Sequence, residues 1–394
     1  MARGGSRVKY FFSAGEFSGD LHASALIREL RKQDPEAQIS GMGGALMAAA
    51  GAEILFDPTA ESTIGFWEAA RKFFMFKSQL DEFTSYLKAN RPDVVVWVDF
   101  GGFNVLLAEQ AAALSIPVVC IFPPSAWAYG PGRAARLAGC VSHVASVLPF
   151  EAEFYRRYEV KVTYVGHPLV DRVKPRQSRD EWRQAQGISP TEQVILLMPG
   201  SRKQEVRGLL PLMLSAAAEV AAAREDLRFF LPVATTIDRE LVRAELAKYP
   251  GLAVTTADPN EAYNLMSGAD LGILASGTAT LEAALLGLPI IVTYQVSKLS
   301  AFLFQAFANK EYRRQPLMVA LPNLIKGRPI IPELIQDQLT VPQLVAEISG
   351  FLDQPERGAK IRAELRGIGE ILGPPGVMER VATIVRGEAA HKNG

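Results

Sequence analysis

Short apolar runs alternate with helical patterns along most of the chain. The first 170 residues contain "VKYFF", "VVVWVDF", "VVCIF", "HVASVL" and "VTYVG", and the rest contain "VILLMPG", "RFFLPVA", "LAVTTA", "LGILAS" and "IIVTY". Continuous runs rich in β-branched residues are typical of parallel strands buried on both faces of a sheet. The helical patterns between them predict crossover helices, so the fold class is predicted to be α/β.

A polar segment at residues 171–191, "DRVKPRQSRDEWRQAQGISPT", interrupts this pattern and is the predicted boundary between domains. Beyond it, "VILLMPGSRKQEV" again gives strand, small-residue loop and helix. We therefore predict two Rossmann-like doubly wound domains, residues 1–170 and 192–371, that face a cleft. Ligands of such domains bind outside the carboxyl ends of the strands. Residues 372–394 are predicted to end in a helix that packs back on the first domain.

Composition excludes several classes of function. Lys and Arg number 42 and so do Asp and Glu, so no basic stripe indicates a nucleic-acid partner. The only cysteines, Cys120 and Cys140, indicate a reducing compartment. The start lacks a signal-peptide pattern, and the longest apolar stretch, which contains Glu282 and Pro289, does not resemble a membrane span. The histidines lack zinc spacing, so neither a metal of that type nor another cofactor is expected, and carboxylate-bound magnesium stays open.

The first glycine loop, "AGEFSGD", joins a predicted strand to a predicted helix. Loops of this kind usually bind phosphate through amide N–H groups. This one carries Glu16 and Asp20 and has no lysine. Carboxylates repel phosphate and accept hydrogen bonds from hydroxyl groups, so a sugar is the expected ligand. Simple helix capping is the alternative, more credible for Asp20 than for Glu16.

The stretch "ASGTATLEAALLG" predicts a second anion site, at the start of a helix after a strand. The hydroxyls of Ser276, Thr278 and Thr280 can bind a diphosphate there. Glu282 lies one helical turn after Thr278, where its carboxylate can accept hydrogen bonds from ribose hydroxyls. The alternative is helix capping by Ser or Thr with a solvated Glu.

The loop "MPGSRKQEV" is a companion to that site. Arg202 offers a planar guanidinium suited to phosphate oxygens. The spacing of Ser201 and Gln204 equally fits a capping box, with Arg202 as a surface charge. Two anion-suited loops in one half of the chain favour a nucleotide diphosphate site.

Asp99 follows the strongest apolar run, in "VVVWVDFGGFN". A carboxylate at the end of a buried strand is a candidate general base, and Gly101 and Gly102 would let a substrate approach the backbone. The alternative is an Asp that caps a turn.

Aromatic and basic residues are interleaved in two segments. "GFWEAARKFFMFK" holds Phe66, Trp67, Arg71, Lys72, Phe73, Phe74, Phe76 and Lys77, and "SKLSAFLFQAFANKEYRR" repeats the mixture at residues 297–314. Core packing is the default for aromatic residues on a helix. Cations within the same segment favour contact with an anionic lipid surface, and we expect this for the first segment above all.

Together these stretches resemble the lipid-A-disaccharide synthases, membrane-peripheral glycosyltransferases of the GT-B fold. The matching segments fall in order from residue 13 to about 337: "SAGEFSGDLH", "GMGGALM", "GFWEA", "VDFGGFN", "PPSAWAYGPGR", "LPFE", "VGHPL", "MPGSR", "SGTATLEAALLGLPIIVTY", "LPNLIKG" and "IPELIQD".

The resemblance implies an inverting transfer of diacylglucosamine from UDP to the 6-hydroxyl of diacylglucosamine 1-phosphate, with UDP released. It assigns Asp99 as the base. Around the donor it implies Arg202, Ser276, Gly277, Thr278, Thr280, Glu282, Asn323 and Glu333. The first glycine loop would then face sugar, through Gly15, Glu16, Ser18, Gly19, Asp20 and His22. The expected location is cytoplasmic, peripheral on the inner face of the membrane, and a homodimer is left open.

The chain departs from the family pattern at Asp99-Phe100-Gly101-Gly102-Phe103-Asn104, where the family has Asp-Ala-Pro-Asp-Phe-Asn. The second carboxylate is therefore missing. Two alternatives remain: another GT-B enzyme that uses UDP-GlcNAc, such as an epimerase or a peptidoglycan-type transferase, and a non-catalytic carrier of nucleotide sugar or lipid. Failure to bind vesicles would favour an epimerase, which needs no lipid acceptor. A turnover assay distinguishes an enzyme from a non-catalytic carrier.

Overall fold

The computed structural model describes residues 7–58, 66–129, 131–295 and 318–391, with the backbone alone at residues 66–76, 128, 129, 131 and 391. The described residues form two compact units. The first unit extends to Pro168 and resumes at Pro374, and the second comprises the described residues from Leu169 to Gly373.

A seven-stranded sheet in the order β3-β2-β1-β4-β5-β6-β7 forms the centre of the first unit, and each strand pairs in parallel with its neighbours. Its strands are β1 (Lys9–Ala14), β2 (Gln38–Met42), β3 (Glu53–Phe56), β4 (Val94–Val98), β5 (Val118–Ile121), β6 (His143–Ser146) and β7 (Lys161–Tyr164). Alternate residues point to opposite faces, so Tyr10 and Phe12 enter one core cluster while Phe11 enters the other.

Helices connect these strands and cover the sheet. They are α1 (Phe17–Gln33), α2 (Ala45–Ala49), α3 (Phe66–Asn90), α4 (Gly101–Ala113), α5 (Ala126–Tyr129), α6 (Pro131–Ala138) and α7 (Pro149–Tyr155). Every residue of β4 is buried, as expected for a central strand covered on both faces.

The second unit repeats the plan with a six-stranded parallel sheet in the order β10-β9-β8-β11-β12-β13. Its strands are β8 (Gln193–Met198), β9 (Leu227–Pro232), β10 (Val254–Ala257), β11 (Leu271–Ala275), β12 (Ile290–Tyr294) and β13 (Glu333–Ile335). Counted within each unit, both sheets follow the Rossmann order 3-2-1-4-5-6, to which the first adds a seventh strand. The prediction of two Rossmann-like α/β domains is therefore confirmed.

The helices of the second unit are α8 (Leu169–Arg172), α9 (Arg179–Ala185), α10 (Lys203–Ala222), α11 (Arg239–Leu246), α12 (Ala262–Gly268), α13 (Thr278–Leu285), α14 (Leu321–Lys326), α15 (Val341–Asp353) and α16 (Pro355–Ile371). Residues 171–191, the predicted boundary, include α9 and pack in this unit. Trp182 is buried, with its ring 5.2 Å from that of Phe230. Asp270 holds the segment by accepting hydrogen bonds from Arg179 at 2.5 Å and Arg183 at 3.0 Å.

The last helix, α17 (Val377–His391), belongs to the first unit. Val377, Val381 and Val385 recur every four residues and lie in the same core cluster as Leu26 of α1. Among helices within the described ranges, none has the length and apolar character needed to cross a membrane.

Candidate functional site

The strand order of the first unit reverses between β1 and β4, which is where ligands of such sheets bind. Ala14 at the end of β1 pairs with Val98 at the end of β4. Their successors, Gly15 and Asp99, are therefore brought to the same point on the carboxyl edge of the sheet. This juxtaposition joins the first glycine loop to the candidate base.

Asp99 and Phe100 both adopt left-handed backbone conformations, with φ of 53° and 56°. Such a conformation costs a non-glycine residue roughly 1–3 kcal/mol and persists only where the surroundings enforce it. Here the carbonyl oxygen of Asp99 accepts hydrogen bonds from the indole Nε1 of Trp97 at 2.5 Å and from Nδ2 of Asn104 at 2.8 Å. Asn104 also bonds the hydroxyl and carbonyl of Ser13, so β1 and β4 hold the turn together.

The carboxylate of Asp99 is partly exposed. Its Oδ1 accepts the amide of Phe100 at 2.8 Å, and its Oδ2 lies 3.5 Å from the hydroxyl of Ser18 on α1. The backbone is thus fixed, while among the described residues one carboxylate oxygen has only a long contact. An oxygen held in this way can accept a proton from a ligand.

Two glycines let the chain fold closely around this turn. A Cβ at Gly15 would lie 2.1 Å from the Phe100 ring, and one at Gly101 would lie 2.7 Å from Cγ of Pro124. At Gly102, where the family pattern has a second Asp, a Cβ would meet nothing within 4 Å. The missing carboxylate therefore leaves open space beside the turn.

Asp20 is 2% exposed and caps a different helix from its own. Its Oδ1 accepts the amides of Gly44 at 2.9 Å and Met47 at 3.0 Å, and its Oδ2 accepts that of Leu46 at 3.0 Å. These are the unpaired amides at the start of α2. Three amides thus bind the carboxylate, which caps α2 and not its own helix, the capping that was weighed from the sequence.

Three residues in the middle of the first loop are accessible, whereas Gly15 and Gly19 are buried. Glu16 and Ser18 are exposed, and between them Phe17 is 68% exposed on the first turn of α1. Gly19 passes close to the backbone of β4, where a Cβ would lie 3.3 Å from the carbonyl oxygen of Val98. The His22 ring lies 4.2 Å from that of Phe122, which follows β5 at the same edge.

In the second unit the corresponding reversal lies between β8 and β11. Met198 pairs with Leu274, which brings the loop after β8 beside the loop after β11. Gly277 and Thr278 are exposed at the start of α13. Their amide groups are at the helix terminus, where anions bind.

The three hydroxyl groups near the start of α13 differ in their hydrogen-bond partners and their exposure. Ser276 Oγ donates to the carbonyl oxygen of Val319 at 3.0 Å. Thr280 is buried and its Oγ1 donates to the carbonyl oxygen of Gly277 at 2.8 Å. Thr280 thus shapes the loop, and Thr278 is the exposed hydroxyl.

Glu282 is half-buried and its Oε1 accepts the phenolic hydroxyl of Tyr263 at 2.9 Å. Burial raises the pKa of the carboxyl, although the Tyr263 hydrogen bond and the charge of Arg172 act in the opposite direction. One oxygen is thus oriented by a neighbouring helix. The other can accept a ligand hydroxyl.

Arg202 is the N-cap residue of α10, and its side chain is 80% exposed. Its Nη1 contacts Oε1 of Glu205 at 3.0 Å. A Cβ at Gly200, with φ of 108°, would lie 2.4 Å from Oε2 of the same Glu205. The guanidinium is therefore at the surface beside a tight glycine turn, tethered by one exposed ion pair.

Asn323 and Glu333 form one buried network. The Asn323 amide donates to the Ile331 carbonyl and to Glu333 Oε1, and its Oδ1 accepts the amides of Ile330 and Ile331. These four bonds use its whole capacity. Glu333 also accepts the amides of Val319 at 2.8 Å and Ala320 at 3.2 Å, and burial raises its pKa.

The predicted membrane contact lies mostly outside the described residues. The backbone of α3 is helical from Phe66, but the side chains of Phe66, Trp67, Arg71, Lys72, Phe73 and Phe76 are not described. Lys77 is exposed. The second aromatic and basic segment, residues 297–314, is also outside the described ranges. Among the described side chains, no three His, Cys, Asp or Glu are placed to hold one metal ion.

Three residues were missed in the sequence: Asn104, which holds Asp99, Tyr263, which orients Glu282, and Glu151, a buried acid that the charge of Asp99 influences. Asn104 carried a signal, since it follows the glycine pair on the first turn of α4. Tyr263 lies 19 residues from its partner, in an ordinary amphipathic stretch.

Comparison with known proteins agrees with the resemblance. The family model described as lipid-A-disaccharide synthetase matches residues 10–366. The chain is 36% identical over 373 residues to the lipid-A-disaccharide synthase of Geobacter sulfurreducens, covering 94% of this chain and 95% of that one. It is also 36% identical over 373 residues to the lipid-A-disaccharide synthase of Syntrophus aciditrophicus, with the same coverage.

Solved structures share the fold at low identity. A UDP-GlcNAc 2-epimerase from Neisseria meningitidis bound to UDP-GlcNAc has a TM-score of 0.62 at 14% identity, covering 97% of this chain and all of that one. A glycosyltransferase of kitacinnamycin has a TM-score of 0.60 at 17% identity, covering 98% and 100%. The predicted GT-B architecture is confirmed by these neighbours.

Proposed function

The chain belongs to the lipid-A-disaccharide synthase family, and on this premise we propose that it joins UDP-2,3-diacylglucosamine to 2,3-diacylglucosamine 1-phosphate as an inverting glycosyltransferase. The acceptor 6-hydroxyl oxygen attacks the anomeric carbon. The bond from that carbon to the diphosphate breaks, and its electron pair leaves with UDP. The products are the β-1,6 disaccharide 1-phosphate and UDP.

Asp99 is the proposed base, which takes the proton of the attacking hydroxyl. The observation that carries this assignment is the strained turn at Asp99 and Phe100, held by Trp97 and Asn104, with one carboxylate oxygen left a single long contact. Strain maintained by surrounding hydrogen bonds is typical of functional sites. Glu16, Ser18 and His22 are proposed to contact the acceptor sugar, with Gly15 and Gly19 allowing close packing.

The donor nucleotide is proposed to lie at the start of α13. The exposed Gly277 and Thr278 supply hydrogen-bond donors for the diphosphate. Arg202, on the neighbouring loop, supplies a positive charge at the end of a long side chain. Glu282 is proposed to accept the ribose hydroxyls. The Ser276 hydroxyl donates to the carbonyl oxygen of Val319, and the amide of Val319 donates to Glu333. We therefore propose that Glu333, with its hydrogen-bond partner Asn323, shapes the loop at the start of α13.

One assay tests the proposal: UDP release measured with the acylated UDP-sugar, with and without the acylated acceptor. Release that requires both substrates is the expected result. Release without the acceptor, or epimerisation of UDP-GlcNAc, would instead support the epimerase alternative. Binding of both substrates with no turnover would support a carrier.

We further propose that the enzyme works at the inner surface of a membrane, because its substrates carry acyl chains and the start of α3 mixes aromatic residues with cations. The oligomeric state is a separate question. A homodimer would be detected by sedimentation of the purified chain.

A further inference from the structure

Glu151 occupies an unusual position for a carboxyl group. It is the third residue of α7, in "LPFE", on the first turn after the loop that follows β6. A Glu at such a helix start is ordinarily solvated, where the helix dipole stabilises its charge. Glu151 is instead 4% exposed. No described cation forms an ion pair with it, and a buried carboxylate without a paired cation is costly, so the protonation state of Glu151 needs explanation.

The hydrogen bonds around Ser146 indicate that state. Ser146 Oγ lies 2.9 Å from the carbonyl oxygen of Leu148 and 3.1 Å from Oε2 of Glu151. A serine hydroxyl has one hydrogen to donate, and a carbonyl oxygen can only accept. When Ser146 donates to Leu148, the contact with Glu151 is a hydrogen bond only if the Glu151 carboxyl carries a proton and donates it to Oγ.

The surroundings favour the same neutral form. Asp99 at the end of β4, Cys120 on β5 and Tyr155 on α7 are the titratable groups that act electrostatically on Glu151 or feel its charge. Burial, with a smaller contribution from the charge of Asp99, raises the pKa of Glu151 to about 8, although the Ser146 hydrogen bond acts in the opposite direction. Burial of Glu151 therefore favours its protonated form at neutral pH.

We propose that Glu151 is a positioning residue that must stay protonated: as a neutral acid it ties α7 to the end of β6, two strands from β4 at the carboxyl edge of the sheet where Asp99 lies, and its ionisation sets the upper pH limit of turnover. This inference rests on the proposed function, in which Asp99 is the base. Loss of the proton removes the donor to Ser146. It also places a second anion near the site where a phosphate-bearing acceptor must bind.

The decisive variant is Glu151→Gln, whose amide is neutral at every pH and can still donate to Ser146. The matched control is Glu153→Gln, an exposed position on the same helix. We expect the turnover of the parent and the control to fall about tenfold per pH unit above the Glu151 transition, as for any group required in one protonation state. Glu151→Gln should lack this alkaline fall and keep turnover within about threefold of the parent at neutral pH.

Thermal stability gives a readout that needs no activity. An unfolded carboxyl loses its proton near pH 4.3, whereas the folded protein keeps the Glu151 proton to about pH 8. Between these values unfolding releases a proton, so the stability due to this group is lost as the pH rises. The melting temperature of the parent should therefore fall relative to that of Glu151→Gln from about pH 5 to about pH 8, and Glu153→Gln should follow the parent.

The outcomes separate the two proposals. If the difference in melting temperature between the parent and Glu151→Gln does not change with pH, Glu151 is not protonated in the folded protein and the inference is wrong. If that difference depends on pH but Glu151→Gln still loses turnover at alkaline pH as the parent does, Glu151 is a buried acid that does not position the site, and this result also overturns the inference. If Asp99→Asn keeps full turnover, the assigned base is wrong, while the melting measurement still reports on Glu151.

Discussion

The Asp20 carboxylate accepts the backbone amide of Gly44 at 2.9 Å, across 24 residues of sequence. The same side chain accepts the amides of Leu46 and Met47, so one acid on α1 serves as the cap of α2. A carboxylate in the first glycine loop is thereby committed to holding two helices together.

Asp20→Ala should therefore lower stability more than activity. The variant leaves three amides at a helix start without their charged acceptor, and we expect a loss of about 3 kcal/mol in the free energy of unfolding. Glu16→Ala is the matched control, because Glu16 is exposed and its loss should change stability by less than about 0.5 kcal/mol. Urea unfolding measures both. Equal stability of the two variants would contradict the capping role.

Asp99→Asn should reduce turnover with little effect on the fold. The amide keeps the size of the side chain but cannot accept the proton, so kcat should fall by about 10²–10⁴-fold. The dissociation constant for UDP should stay at the parent value, since UDP is proposed to bind the other unit. Turnover within a few-fold of the parent would remove Asp99 from the role of base.

Glu282 and Tyr263 should act together on nucleotide binding. Glu282→Ala should weaken UDP binding by roughly 1.5–3 kcal/mol, the range for hydrogen bonds to a charged group. Tyr263→Phe removes only the hydrogen bond that orients Glu282, so a smaller loss of about 1 kcal/mol is expected. Calorimetric titration with UDP measures both, and the double variant should resemble Glu282→Ala. Unchanged affinity in Glu282→Ala would make the carboxylate a structural group.

The sequence predicted the strands that carry apolar or β-branched runs, because such runs are local signals, and the sites at the sheet edges stay predictions. It did not reveal β2, β3 or β13. β3 and β13 are edge strands of four and three residues, and β2 alternates polar residues and glycine with apolar ones, so no apolar run in them exceeds three residues. Short strands are defined by pairing with neighbours that the sequence does not place.

The same limit applies within the sites. The spacing of Asp20 suggested capping of its own helix, yet its partners begin 24 residues away. Asn323 and Glu333 were grouped with the donor by resemblance, whereas their hydrogen bonds are with each other and with the backbone between Val319 and Ile331. Side-chain type indicates what a residue can bind, and only the fold determines which partner it meets.

The start of α3 provides the last prediction, which concerns the membrane. Replacing Arg71, Lys72 and Lys77 with Gln should reduce binding to anionic vesicles by about 1 kcal/mol per charge near the surface. Added salt should have the same effect on the parent, because it screens exposed charges. Replacing Phe73 and Phe76 with Ser should reduce binding to neutral vesicles as well, and leave the affinity for UDP unchanged. Vesicle co-sedimentation measures each.

Core packing of Phe73 and Phe76 is the competing explanation, and it makes a different prediction. Large buried side chains leave cavities when truncated, so the Ser variants would then lose roughly 3 kcal/mol or more of stability. An interfacial helix would keep its melting temperature, because its apolar face is already solvated in the absence of lipid. Measuring melting temperature and co-sedimentation on the same samples separates the two. A large fall in melting temperature with vesicle binding unchanged in the folded fraction would rule out the membrane contact.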